Sequence, residues 1–439
     1  MGLNYSGYHS HNGKVTVTDL FVWCFAVWPL FWNLWVNIRL TSAISSTLPV
    51  ILLIGISFFS LLMVKRVGTN FFVVWMIFLF AISISGVRGL KNVALFDITV
   101  IFCCILLCAC IQNTRIDTEM ISKCLYGCGL FISITIILDA ATHIFSTSLL
   151  SIYTDYGRDT IRNLRSNTIA TGGILPHTGN AGCFVCTGLG TYIISLRGKK
   201  PTIRNWLIIA VFIISFLLLQ KRGFLLDMLI AAFLIWILGW RLEEAFRFNL
   251  HKQLKKALFI IVSVIALIAL YLFVPLVRET ADSLISRFSS DDVSFSGRTY
   301  LYALAYRLYQ TNPIWGIGWG NYRQQTLGIF WRSSTSTYEV HNVYLQLLCE
   351  AGIVGLITFI IAVSSTLIIG IKKYRSLLKA DEKDIEFYSC QLGLYMQIFF
   401  LGYCFTGNPL YDYNFLVTYF IGILLTLYKS PLYKNGEPR

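Results

Sequence analysis

Charge is scarce in this sequence. Asp, Glu, Lys and Arg make up 13% of the 439 residues, where a soluble domain carries roughly 25%. That shortage excludes a soluble enzyme and a disordered regulator, which both need charged surface to face water. Acid is the scarcer sign, with 22 Asp and Glu against 36 Lys and Arg. The long hydrophilic stretch 277–343 has no cysteine, so a secreted disulfide scaffold is excluded as well. Internal repeats and low-complexity tracts are missing. The first apolar run is long and Trp-rich and lacks a small-residue cleavage site, so no cleavable signal peptide is expected.

Apolar residues are abundant, at 56% of the chain with 15% aromatic and a mean hydropathy of +0.66. A membrane span needs about 20 mostly apolar residues. The sequence therefore reads as an all-α polytopic membrane protein of about 12 transmembrane helices with a long, partly helical periplasmic loop. The expected spans are 17–38, 46–64, 70–87, 94–112, 125–147, 175–196, 205–220, 223–240, 257–276, 344–371, 387–406 and 414–428. Residues 1–276 hold the first nine and 277–343 the loop. The remainder, 344–439, holds the last three and a tail. The seventh and eighth spans, separated by Lys221 and Arg222, are expected to form a tight helical hairpin.

The net charge of +14 does not signal nucleic acid, because Lys and Arg fall in short blocks between apolar runs and form no basic stripe. One alternating set of segments carries 22 of the 36 cations: Lys14, Lys65-Arg66, Arg115 with Lys123, 197–204, 241–256, 372–383 and 429–439. The positive-inside rule makes that set cytoplasmic, with both termini inside and the two longer loops outside. Met1-Gly2 and Asn4-Tyr5-Ser6 match myristoylation and glycosylation patterns, but twelve spans make a lipid anchor redundant. The cysteines in apolar runs, Cys24, Cys103, Cys104, Cys108, Cys110, Cys183, Cys186, Cys390 and Cys404 among them, read as small buried hydrophobes.

Chemistry concentrates in 277–343, too long for a plain connection. Leu301, Leu304 and Leu308 form a helical stripe that Asn312-Pro313 ends, giving an amphipathic helix of about four turns capped by Ser294 or Ser296. Arg298 then falls in the first turn, where the helix dipole disfavours a cation. It reads either as an anion holder or as a solvated partner of Asp291 or Asp292. Gly316-Ile-Gly318-Trp-Gly320 resembles a dinucleotide loop superficially, but no βαβ unit surrounds it, and a tight turn is the expected use. His341 stands at the outer end of the next membrane helix, either as a general base or as an interfacial hydrogen-bonding residue. Lys221-Arg222 interrupts apolar sequence on the outer side and reads as a phosphate site or as interfacial anchors. Asp155, Arg158, Asp159, Arg162 and Arg165 in the other outer loop have helical spacing and read as a solvated charge network. Asp139 and Asp227, near outer helix ends, are candidates to pair with such arginines.

Taken in order, these motifs resemble the O-antigen ligase/polymerase superfamily of bacterial membrane glycosyltransferases. The residues that carry the resemblance are Arg222, Ser296-Gly297-Arg298, Asn312-Pro313-Ile-Trp-Gly316-Ile-Gly318, His341-Asn342-Val-Tyr344-Leu345 and Glu350-Ala-Gly352. The resemblance implies a donor glycan on undecaprenyl pyrophosphate and transfer to a sugar hydroxyl outside the inner membrane. Arg222 and Arg298 would hold the pyrophosphate and His341 would activate the acceptor, with Lys221, Arg165 and Glu350 as secondary candidates. Inverting transfer without metal or cofactor is expected, because pyrophosphate is a good leaving group that arginines stabilise. Asp291-Asp292 is the alternative, as an Mg²⁺ pair. The implied partners are the lipid-linked glycan, a second glycan or lipid A-core as acceptor, and membrane lipids, with room for a chain-length regulator and none for nucleic acid. Polymerase is the preferred reading and O-antigen ligase the alternative. A flippase or transporter, the reading from another class, predicts charges near the bilayer midplane, whereas here they gather at the outer edge.

Overall fold

The computed structural model describes residues 16–45, 47–63, 69–89, 92–111, 116–167, 170–197, 200–239, 272, 293–326, 338–380, 385–428, 433–434 and 437–438. The Asp291-Asp292 pair, the N-terminal patterns and all of the ninth expected span but Leu272 lie outside these residues.

The described chain is helical apart from an antiparallel pairing of Tyr433–Lys434 with Glu437–Pro438. In chain order the helices are α1 (Val17–Asn37), α2 (Arg39–Ile44), α3 (Leu48–Met63), α4 (Thr69–Gly89), α5 (Asn92–Ile111), α6 (Thr118–Thr142), α7 (Asp155–Asn167), α8 (Thr178–Ser195), α9 (Ile203–Leu219) and α10 (Arg222–Leu238). They continue as α11 (Val293–Thr311), α12 (Tyr322–Gln325), α13 (Val343–Lys379), α14 (Ile385–Tyr403) and α15 (Tyr413–Leu427). Helices occupy eleven of the twelve expected spans. Of the described helices, α1, α6 and α13 are long and apolar enough to cross a membrane, and several shorter apolar helices accompany them. α6 starts at Thr118, earlier than expected, and its expected C-terminal turn is a π-helical segment, Ile144–Ser148.

The bundle is organised from the inside out. α8, α14 and α15 form its centre, and every residue of α15 from Asn414 to Leu427 is buried. Two glutamines of this centre donate to neighbouring hydroxyls, Gln397 to Thr426 at 2.8 Å and Gln391 to Tyr374 at 3.2 Å. Buried polar groups require such partners. The outer helices expose apolar residues instead, such as Ile51, Phe58 and Leu62 on α3, and Leu226, Leu229 and Phe233 on α10. Exposed apolar faces of that extent suit lipid better than water. α6 meets α8 where glycines permit close approach. A Cβ on Gly129 would lie 2.8 Å from the Gly188 Cα, the small-residue contact common between membrane helices.

Helix ends sort onto two faces. At one face, Asp117 N–H donates to Asp19 at 3.1 Å, Lys373 pairs with Glu386 at 2.9 Å, and Arg197 bonds Tyr374. At the other, Thr154 N–H donates to the Asn37 carbonyl at 2.9 Å and the Thr171 hydroxyl donates to the Asp139 carboxylate at 2.6 Å. On that second face Asp97 takes bonds from Trp319 Nε1 at 2.9 Å and the Tyr413 hydroxyl at 2.6 Å. The described part of the strongly basic segments thus lies at the end opposite the two longer loops.

Two sequence expectations are corrected here. α9 and α10 do not form a packed hairpin: α9 lies on α6 and α8, whereas α10 lies on α14. Gln220, with φ of 52°, turns the chain between them and splays the pair. Cys24 is exposed on α1, although Cys103, Cys104, Cys108, Cys110, Cys183, Cys186, Cys390 and Cys404 are buried as expected. Cysteine is small and apolar enough for a lipid-facing position as well as a core one.

Candidate functional site

The second face gathers the residues that the motifs singled out. α11 supplies Arg298. It begins at Val293, so Ser294 and Ser296 lie inside the helix and do not cap it. Arg298 therefore sits in the second turn, where the helix dipole opposes a cation less than in the first. One helical turn later, on the same side of α11, Tyr302 donates its hydroxyl to the main-chain carbonyl of His341 at 3.4 Å. Leu301 is buried in a small cluster with Ala305, Tyr322, Val340 and Cys349, against which Leu304 and Leu308 pack. The leucine stripe thus seats α11 and aims Arg298 and Tyr302 at the segment before α13.

His341 takes a left-handed conformation, φ 59°. Such a backbone costs a non-glycine residue about 1 kcal/mol, and its surroundings are well fixed. Asn342 caps α13 by accepting from Leu345 N–H at 3.0 Å, and Val343 N–H donates to the Cys404 carbonyl at 2.9 Å. Two residues upstream, Glu339 is ion-paired with Arg323 and accepts from the Asn408 amide at 2.7 Å. Burial pushes the His341 imidazole down to about 4, and the charges of Arg298 and Lys221 push the same way. Both cations are therefore within electrostatic reach of the ring. The neutral imidazole that results is the form a general base requires.

The glycine run proves to be a splice. α13 breaks at Gly352, φ 66° and ψ −167°, and the segment from Pro313 to Gly318 lies in the break. Ile317 N–H donates to the Cys349 carbonyl, Gly318 to Glu350 and Ile353 to Pro313, each at 2.9 Å. The loop supplies bonds that the interrupted helix loses. Contact is so close that a Cβ on Gly316 (φ 70°) would lie 2.3 Å from the Glu350 carbonyl carbon. Glu350 is fully buried, and its carboxylate accepts from Tyr322 N–H at 3.0 Å. The structure thus uses it to hold the loop over α13.

Lys221 and Arg222 begin α10, and both are half-buried. Lys221 lies within electrostatic reach of His341 and of His177, a residue that the motif reading missed. Tyr403, at the end of α14, feels the charge of Arg298. Arg298, Lys221, His341 and His177 are thereby brought together. Arg165 is placed elsewhere: it lines a small cleft with Asp139, Ser146, Thr171 and Gly172. The charge spacing before it does form a helix, α7, on which Asp155 pairs with Arg158, and Asp159 lies 3.9 Å from Arg162. Asp139 takes backbone partners where arginines were expected, accepting from Phe145 N–H at 2.9 Å and Ser146 N–H at 3.0 Å. It thereby ties down the π-helical turn. Asp227 is buried against Gly402, and its Oδ2 has no hydrogen-bond partner among the described residues. Among the described residues no cluster of His, Cys, Asp and Glu could hold a metal ion.

His177 and Asp97 escaped the sequence reading because each is a single polar residue in or beside an apolar run, and Tyr302 because it is one of four tyrosines on its helix with nothing to single it out. None of the curated proteins matches the chain. The family model described as O-Antigen ligase matches residues 186–360, the stretch that contains Lys221, Arg222, Arg298, His341 and Glu350, and that stretch of the chain is similar to this family.

Proposed function

We propose that the protein is a twelve-span glycosyltransferase of a bacterial inner membrane that polymerises glycan repeat units carried on undecaprenyl pyrophosphate. Its candidate face points to the periplasm and both termini lie in the cytoplasm. The observation that carries the reading is the convergence of Arg298 and Lys221 on the half-buried, neutral imidazole of His341. Arg222 and Arg298, with Lys221, hold the pyrophosphate and stabilise its growing charge. His341 takes the proton from the acceptor hydroxyl as that oxygen attacks the anomeric carbon. The bond from that carbon to the pyrophosphate oxygen breaks, and undecaprenyl pyrophosphate departs with the electron pair. Attack from the side opposite the leaving group inverts the anomeric centre. The charge of the protein side chains suffices for this chemistry, so no metal or cofactor is assigned.

The description of the matched family favours a second reading, an O-antigen ligase that transfers the same donor to lipid A-core. Purified protein in liposomes with defined undecaprenyl-pyrophosphate glycan separates the two. A product ladder from the lipid-linked donor alone supports the polymerase. Product that forms only when lipid A-core is present overturns it in favour of the ligase.

A further inference from the structure

His177 precedes α8, and its Nδ1 accepts the Gly179 backbone N–H at 3.1 Å, capping the helix. A nitrogen that accepts a hydrogen bond carries a lone pair, so in the neutral ring the proton resides on Nε2. The cap therefore fixes the tautomer and turns the other ring nitrogen into a donor. His177 is exposed. Its electrostatic neighbours are the Lys221 ammonium and the His341 imidazole, and those of His341 are Arg298 and Lys221. Tyr403 flanks the same place, since a Cβ on Gly179 would lie 4.0 Å from its hydroxyl and 2.8 Å from His177 Nδ1. The formal charges that reach the two imidazoles, those of Lys221 and Arg298, are positive, and the N–H of an exposed histidine at such a position suits an anion.

We propose that His177 is a binding residue of the site, donating from Nε2 to a phosphate oxygen of the undecaprenyl pyrophosphate group. His341 faces the acceptor hydroxyl, so the two imidazoles divide the work: one binds the leaving group and the other takes the proton. This inference rests on the pyrophosphate reading given above.

The two ring nitrogens have different jobs, and two substitutions separate them. Asn places an acceptor where Nδ1 is and is a favoured N-cap, but it lacks the reach of Nε2. Gln places an amide N–H near the Nε2 position and caps poorly. The experiment measures binding of undecaprenyl pyrophosphate to the full-length protein in detergent, together with thermal unfolding, for the unmodified protein, His177→Asn, His177→Gln and Arg298→Ala. His177→Asn is expected to keep its melting temperature and to bind about tenfold more weakly, the effect of losing one hydrogen bond to a charged group. His177→Gln is expected to bind within about twofold of the unmodified protein and to melt earlier. His177→Asn binding as tightly as the unmodified protein, while Arg298→Ala binds weakly, overturns the role of His177 and leaves the pyrophosphate reading intact. Equal loss of binding and of melting temperature in both His177 variants also overturns it, as a purely structural effect. If the unmodified protein does not bind, the pyrophosphate reading falls and this inference falls with it.

Discussion

The side-chain amide of Asn408 donates to the carboxylate of Glu339 at 2.7 Å, which ties the segment entering His341 to the turn between α14 and α15. Arg323 holds the same carboxylate from α12. His341 therefore depends for its position on residues that contact no substrate in the proposed reaction. Replacing Asn408 by Ala should lower kcat about tenfold, the usual cost of one hydrogen bond to a charged group, with KM for the donor nearly unchanged. Steady-state transfer assays check this, and a rise in KM alone would speak against a positioning role.

The pH profile should carry the mark of the two cations. In the free protein the His341 imidazole titrates at about 4, held down first by burial and then by Arg298 and Lys221. It is fully basic above that value and lost as pH falls through it. The acid limb of kcat/KM, which reports free enzyme, is expected at that pH. Bound pyrophosphate offsets both cations, so the acid limb of kcat should lie at higher pH. Rates measured over a series from about pH 3 to 9 give both limbs. A kcat/KM limb at the unperturbed histidine value of about 6.5 would contradict the placement of His341.

The break in α13 predicts a stability effect. Gly316→Ala puts a methyl group 2.3 Å from the Glu350 carbonyl carbon, in a residue with φ of 70°. The overlap and the left-handed backbone together should cost at least about 2 kcal/mol. Thermal unfolding in detergent should show a clear fall in melting temperature. An unchanged melting temperature would mean that the loop does not lie in the break.

Asp97 predicts a second, independent loss. It holds Trp319 from the loop and Tyr413 from the start of α15. Asp97→Ala strands both donors in a buried place, at about 1–3 kcal/mol each. Trp319 also stacks on Tyr411 with ring centroids 4.6 Å apart. Near-ultraviolet circular dichroism should therefore report the loosening along with the melting temperature. An unaltered spectrum would show that Asp97 does not hold the loop.

These effects mark where the sequence was readable. Apolar runs predict helices because a membrane segment must satisfy its own backbone, and the runs at 17–38, 344–371 and 414–428 became α1, α13 and α15. Charge spacing predicted α7, since residues three and four apart meet on a helix. The leucine stripe predicted α11. What stayed hidden depends on contacts between distant segments. Nothing local in Gly316 or Gly352 reveals that one loop fills the break in the other's helix. The splay of α9 from α10 depends on what each helix packs against. The start of α11 at Val293 displaced the expected serine cap, and Arg165 faces a cleft set by Asp139, which only the folded outer loop defines.

The central claim is that Arg298, Lys221, Arg222 and His341 together perform transfer from a pyrophosphate-linked donor. Its most direct test is single-turnover release of undecaprenyl pyrophosphate from defined lipid-linked glycan, in liposomes that supply acceptor, by the unmodified protein and by Arg222→Ala, Arg298→Ala and His341→Ala. The account predicts release by the unmodified protein and none above background by each variant, with all three variants melting like the parent. Full release by His341→Ala would contradict it.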